Sequence, residues 1–241
     1  MEQAAGVRIQ KALAQAGLGS RRTCDALVSE GRVSVNGHVA DPGTRVDIAV
    51  DRIEVDGRPV TTGARTVVLM LHKPAGMVTT MSDERGRPCV GDLVRDHPER
   101  LFHVGRLDED TEGLLLLTND GDLAHRLMHP SLGVRKRYVA TVRGEFSEST
   151  AARLRSGITL EDGPVRADAL TIRHAGRDRS VVELDIHEGR KRIVRRMLRE
   201  VGHPVLRLVR THLGPLALGP LPVGAIRPLN ERELQALREL H

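Results

Sequence analysis

Aromatic residues are nearly missing from this chain of 241 residues, which has two phenylalanines, one tyrosine and no tryptophan. A surface that binds single strands by stacking base after base needs more rings than Phe102, Phe146 and Tyr138 supply. Cysteine is scarce too. Cys24 and Cys89 are too few for a disulfide framework or a four-ligand zinc site, and they suit a reducing compartment. No apolar run approaches the ~20 residues of a membrane helix, and residues 1–10 lack the basic-then-apolar order of a secretion signal. A soluble cytoplasmic protein with no membrane partner is the expectation. The Walker loop, the Gly-x-Gly-x-x-Gly fingerprint, the Gly-x-Ser-x-Gly elbow and His-Glu-x-x-His are all missing, so nucleotide-driven and zinc-peptidase chemistries lose support. His125 and His129 stand four apart, yet no further ligand has the spacing to complete a metal site. Neither metal nor cofactor is expected.

What the chain has in excess is arginine. Lys and Arg total 37 against 32 acids, a net charge of +5, and lysine occurs only at 11, 73, 136 and 191, leaving 37 − 4 = 33 arginines. Guanidinium suits bidentate contact with phosphate. From Arg190 to Arg210 eight basic residues (Arg190, Lys191, Arg192, Arg195, Arg196, Arg199, Arg207, Arg210) meet one acid, Glu200, so this short stretch carries more charge than the whole chain. Such a patch is the footprint of a polyanion, and phosphates and shape would carry most of the affinity for RNA.

The pattern divides in two. Residues 7–16 and 20–30 read as short helices closed by Gly17 and Gly31, with Ser20 as a cap. Arg32–Val35 alternates into the hairpin turn Asn36-Gly37, and a strand at Arg52–Val55 leads to Asp56-Gly57. A polar stretch from Thr61 to Arg65 reads as a linker. Beyond it, strands are expected at 66–71, 76–80, 101–104, 114–118, 137–142 and 180–186. Helices are expected at 122–128, 148–154, 191–201 and 231–240. Strand and helix do not alternate regularly, which predicts an α+β fold with a largely antiparallel sheet. On the wheel of helix 191–201, Ile193, Val194, Met197, Leu198 and Val201 share one face, and Arg192, Arg195, Arg196 and Arg199 the other. Arg190 falls near the apolar side, so it belongs before the helix, in a structural or a substrate-orienting role.

The richest stretch is Val104–Gly113, VGRLDEDTEG. A strand ends, Gly105 lets the chain turn, and Asp108 follows just before the apolar run Leu114–Leu117. Four acids in this stretch, Asp108, Glu109, Asp110 and Glu112, suit a cation, acid–base work, or simply a solvated turn. The loop alone names no reaction.

Gly105-Arg106-Leu107-Asp108, with Thr111, Gly113-Leu114-Leu115 and Thr118-Asn119-Asp120-Gly121, closely resembles the catalytic motif of the A type of small-subunit ribosomal pseudouridine synthases. Lys73-Pro74-Ala75-Gly76, Met128-His129-Pro130-Ser131, Lys136-Arg137-Tyr138 and Glu188-Gly189-Arg190 with Val194-Arg195-Arg196-Met197 resemble further motifs of that family, in order. Ile193 departs from it, standing where many relatives carry Gln or Glu. The amino-terminal module, with Arg8, Lys11, Gly19-Ser20-Arg21-Arg22 and Gly31-Arg32, resembles the S4 RNA-binding domain, this subfamily's usual partner. The resemblance implies an S4-type helix-helix-sheet domain over 1–62, a linker at 63–66 and a catalytic domain over 67–241. It also implies isomerisation of uridine to pseudouridine without a cofactor or metal.

By the same resemblance Asp108 is the reacting carboxylate, Arg195 its ion-pair partner, and Tyr138 stacks on the displaced base. Arg106 is the wedge or phosphate clamp, while Arg8, Lys11, Arg21, Arg22, Arg32, Arg190, Lys191, Arg192, Arg196 and Arg199 meet RNA. The run of motifs looks most like the B branch of the large-subunit enzymes, so the expected partner is 23S ribosomal RNA or a ribosomal assembly intermediate, bound by a monomer. The competing readings are 16S RNA as substrate, a non-catalytic S4-domain assembly factor, and a metal-dependent hydrolase using Asp108 and Asp110.

Overall fold

The computed structural model describes residues 6–61 and 65–240. The chain forms two compact units, one up to Val67 together with His97–Arg100 and Asn119–Gly121, the other holding the remainder.

The first unit runs β1 (Val7–Arg8), α1 (Ile9–Gln15), α2 (Arg21–Ser29), β2 (Val33–Val35), β3 (His38–Val39), β4 (Arg45–Val46), β5 (Ile53–Val55) and β6 (Arg58–Pro59). Ser20 caps α2 by accepting a hydrogen bond from the Thr23 amide at 3.0 Å. Asn36-Gly37 and Asp56-Gly57 both take positive φ at each position, and this closes the β2–β3 and β5–β6 hairpins with the twist of their strands. Ile9, Leu13, Cys24, Val28, Val33, Val46 and Ile53 pack between the helices and the sheet ordered β3-β2-β5-β6. The first helix starts later than expected: Val7 and Arg8 are extended and pair with β4. Gly63 and Ala64, at the centre of the expected linker, lie outside the described residues.

The second unit contributes β7 (Val68–Lys73), β8 (Phe102–Val104), β9 (Glu112–Thr118), α3 (Gly121–Met128), β10 (Lys136–Arg143), α4 (Glu148–Ser156), β11 (Ile158–Leu160) and β12 (Gly163–Val165). It continues with β13 (Ala169–His174), β14 (Arg179–Ile186), α5 (Ile193–Glu200), β15 (Val205–Leu213), β16 (Leu216–Ala217), β17 (Ile226–Pro228) and α6 (Glu231–Arg238). A nine-stranded sheet has the order β13-β14-β10-β15-β9-β7-β17, with β8 on β9 and β16 on β15. Its pairs are antiparallel except β15 with β9. The fold is therefore α+β with a mixed, mostly antiparallel sheet, as expected. The apolar runs of β7 and β9 are buried on both faces, and Met70, Leu114, Leu116, Leu123, Leu127, Leu213 and Leu237 form one core, each large side chain contributing roughly 1.5–3 kcal/mol.

Two expectations fail, and several strands carry no local signal. Residues 76–80 are not a strand: Gly76 turns with φ +81 and only Val78 bridges, to Cys89, because Thr79 is drawn inward. Helix α5 begins at Ile193 rather than 191, since Arg192 is left-handed at φ +53. The central strand β15 lies outside the strands that the sequence predicts, as do β11–β13, β16 and β17.

One rung of the sheet positions the site. Tyr138 on β10 is opposite Arg210 on β15, Arg210 is opposite Gly113 on β9, and Gly113 is opposite Lys73 on β7.

Candidate active site

The segment between β8 and β9 is fastened from below. Lys73 is fully buried, and its Nζ donates to the carbonyl oxygens of Pro74 (2.8 Å), Glu109 (3.3 Å) and Thr111 (2.9 Å). Its burial pulls the ammonium pKa down to about 8, although Asp110, Glu109 and Asp108 nearby oppose the shift. Thr79 Oγ1 donates to the Leu107 carbonyl at 2.7 Å and accepts from the Leu107 amide at 3.2 Å. The Gly76 amide reaches the Glu109 carbonyl at 2.8 Å, and the Thr111 amide closes a turn on the Asp108 carbonyl at 3.0 Å. The backbone on either side of Asp108 is therefore tied to buried partners. The Asp108 carboxylate is different: it is half-buried and makes no hydrogen bond or ion pair within the described residues.

Asp108 borders a cleft of about 690 Å³, the size of a small-molecule site, whose walls include Arg106, Tyr138, Arg195 and Arg210. Opposite the Asp108 turn is the start of α5. Arg192 clamps Asp110 with two hydrogen bonds of 3.0 and 2.8 Å. Arg195 lies mostly buried; its Nη2 donates to the Asp110 carbonyl at 2.7 Å and its Nε stands 3.3 Å from Asp110 Oδ1. The expected Arg195–Asp108 ion pair is thus replaced by Arg195–Asp110, because the Asp108–Thr111 turn presents Asp110 to α5. Asp108 still acts on Arg195 through space: burial lowers the guanidinium pKa, and Asp110 and Asp108 pull it back up. For Asp110, burial pushes its carboxyl up, but the hydrogen bonds from Arg192 and the charges of Arg195 and Arg192 outweigh this and hold it below the usual range.

The basic patch is less exposed a charge than its sequence suggests. Arg190 pairs with Glu188 (2.6 Å) and Asp162 (2.9 Å), Arg196 with Asp162, Arg207 with Glu112 (2.8 Å), and Arg192 and Arg195 with Asp110. Arg190 precedes α5 and is tied to β12 through the Pro164 carbonyl at 2.8 Å, which fits a structural role. Lys191, Arg199 and Arg106 are exposed and, among the described residues, have no carboxylate within ion-pair distance. In the first unit Arg8, Arg21 and Arg22 are exposed and Lys11 is half-buried, whereas Arg32 is held by Asp56 and Glu30.

The sequence matches the S4 domain over residues 7–53 and the RNA pseudouridylate synthase family over residues 67–200, more than half of the chain. The chain belongs to the RNA pseudouridylate synthase family. It is 50% identical to an uncharacterised RNA pseudouridine synthase of Mycobacterium leprae over 242 residues, 98% of this chain and 94% of that one. It is 42% identical to ribosomal large subunit pseudouridine synthase B of Bacillus subtilis over 237 residues, 97% and 96% of the two chains. A crystal structure of a pseudouridylate synthase superposes with a TM-score of 0.67 at 29% identity, covering 96% of this chain and all of the other. The protein is an RNA-modifying isomerase.

Two residues of the candidate site carry little signal in the sequence of this synthase. Lys73 stands out only within its motif, although a lysine just after the apolar run Val67–Leu71 in a chain with four lysines is itself a signal. Arg210 belongs by sequence to the basic patch, yet it is 4% exposed, donates from Nε to the Leu114 carbonyl at 2.8 Å, and has a buried Nη2 with no partner among the described residues. Lys136 also lines the cleft, with Nζ on the His187 carbonyl at 2.8 Å; burial and the nearby Arg210 charge lower its pKa.

Proposed function

We propose that this enzyme converts a specific uridine of ribosomal RNA to pseudouridine, that the RNA is that of the large subunit, and that Asp108 is the reacting carboxylate. The observation that carries the reading is the contrast at Asp108: a carboxylate at the cleft with no hydrogen-bond or ion-pair partner among the described residues, on a backbone held by Lys73, Thr79 and Gly76. A nucleophile needs a fixed position and an unblocked lone pair, and this arrangement supplies both. Tyr138, buried on β10 and lining the same cleft, is the ring that covers the base. Arg195 supports Asp108 as a nearby cation rather than a direct partner.

The target base must leave its helix, at a cost of a few kcal/mol, and exposed Arg106 beside the cleft is placed to fill the gap or hold a phosphate. Residues 1–62 serve as an S4-like RNA-binding module and 67–241 as the catalytic domain. The protein works as a monomer in the cytoplasm. Support for the ribosomal target comes from relatives named ribosomal large subunit pseudouridine synthase B at 41–43% identity. Among the described residues no helix is long and apolar enough to cross a membrane.

The test is chemical mapping of pseudouridine in 23S and 16S RNA from a strain lacking the enzyme, complemented with wild type or Asp108→Asn. One 23S site should vanish and return only with wild type. A missing 16S site would instead assign the small ribosomal particle, and turnover by Asp108→Asn would overturn the catalytic assignment.

A further inference from the structure

Arg210 is a buried cation without a counter-ion. Among the described residues no carboxylate lies within ion-pair distance of it, its Nε is spent on Leu114, its Nη2 is unpartnered, and Lys136, close enough in the cleft for the two charges to act on each other, is another cation. Leaving a guanidinium desolvated and unpaired is costly, so an acceptor that arrives only with the substrate is the natural complement. Position decides which acceptor. Arg210 is directly across from Tyr138 on the rung that runs to Gly113, where the Asp108 segment enters β9. A phosphate stays tied to its neighbours along the RNA strand and meets exposed cations such as Arg106 and Lys191. A base turned out of its helix reaches further in.

The reaction supplies the charge. Breaking the bond between N1 and C1′ leaves its electron pair on uracil, spread over N1, O2 and O4. After the ring turns, C5 gives a pair to C1′, C5 loses its proton and N1 gains one, so nothing is consumed. We propose that Arg210, with Lys136 beside it, donates hydrogen bonds to the uracil carbonyl oxygen on which this negative charge develops, and so stabilises the detached base. The inference rests on the pseudouridine synthase reading and adds to it a residue whose contribution grows as the base departs.

The test is single-turnover kinetics of Arg210→Met and Arg210→Lys on the RNA site mapped above, with thermal unfolding as a control because Arg210 also holds Leu114. Arg210→Met should slow the bound-state rate by roughly 100-fold or more while RNA affinity stays within about threefold, and Arg210→Lys should recover part of the rate. A rate within threefold of wild type, or a loss confined to affinity, overturns the proposal. Should the variants not fold, a structure of Asp108→Asn bound to the same RNA decides: a uracil oxygen within about 3.2 Å of an Arg210 Nη is expected, and a phosphate oxygen or only water there overturns it. Failure of wild type itself to form pseudouridine would sink the functional reading instead.

Discussion

Gly113 and Arg210 face one another across the parallel pair β9–β15, so closely that a Cβ on Gly113 would lie 2.2 Å from the Arg210 carbonyl oxygen and 2.5 Å from its amide nitrogen. Gly113 also has φ +116, a conformation side chains resist. Both neighbours are backbone in a central strand and cannot swing away. Gly113→Ala should therefore destabilise the second unit by about 3 kcal/mol or more and push β15, with Arg210, off its rung. Chemical denaturation and turnover are the measurements, and a variant within 1 kcal/mol of wild type would show that the rung gives easily.

Lys73 predicts opposite pH responses for stability and activity. Its pKa falls from 10.5 to about 8 on folding, so between these values the unfolded chain holds more protons than the folded one. The Lys73 contribution to stability then rises with pH through that window and is lost as pH falls through about 8. The stability difference between wild type and Lys73→Met should climb from pH 8 to 10.5. Activity should do the reverse, because a neutral amine keeps two donors for three carbonyl acceptors and releases part of the Glu109–Thr111 loop. Unfolding curves and a pH–rate profile at matched salt check both; a flat difference curve would mean Lys73 keeps its ordinary pKa.

How much of this was legible beforehand depends on distance along the chain. The hairpin turns at Asn36-Gly37 and Asp56-Gly57, the Ser20 cap and the apolar strand before Thr118 are written within a few residues, and the structure repeats them. Strand β15 is not local in that sense: Val205–Leu213 interleaves Arg207 and Arg210 with apolar residues, and only its neighbours β10 and β9 reveal why a buried arginine belongs there. The same holds for charge. Asp110, Asp162 and Glu112 neutralise arginines that lie some 30 to 95 residues away, so the patch at 190–210 looked freer than it is. The Asp108 loop stood out by composition, but its chemistry came from the family resemblance rather than its spacing.

Asp110 separates positioning from stability. Its side chain is about half exposed, so its pairs with Arg192 and Arg195 are screened by water and salt and contribute little to folding. Asp110→Asn should cost under about 1 kcal/mol. It should nevertheless lower turnover several-fold, because the forks of Arg192 and Arg195 lose the anion that aims them beside Asp108. Denaturation and single-turnover rates, compared at low and high salt, test the split. Equal losses in stability and rate would make the cluster a fold element only.

The ion-pair map also ranks the arginines for RNA binding. Each cation that meets a phosphate releases a counter-ion, so its removal flattens the plot of log affinity against log salt by about one unit per contact. An arginine already matched by a carboxylate has less to release. Arg199, Lys191 and Arg106, exposed and without a carboxylate partner among the described residues, should each reduce the slope when changed to Ala. Arg196→Ala and Arg207→Ala should change it much less, since Asp162 and Glu112 hold those side chains in the free enzyme. Binding measured across a salt series, with Asp108→Asn as the background to prevent turnover, gives the slopes directly. Equal slopes for both groups would mean that RNA strips the carboxylates from Arg196 and Arg207 on binding, and the patch would then act at its full sequence charge.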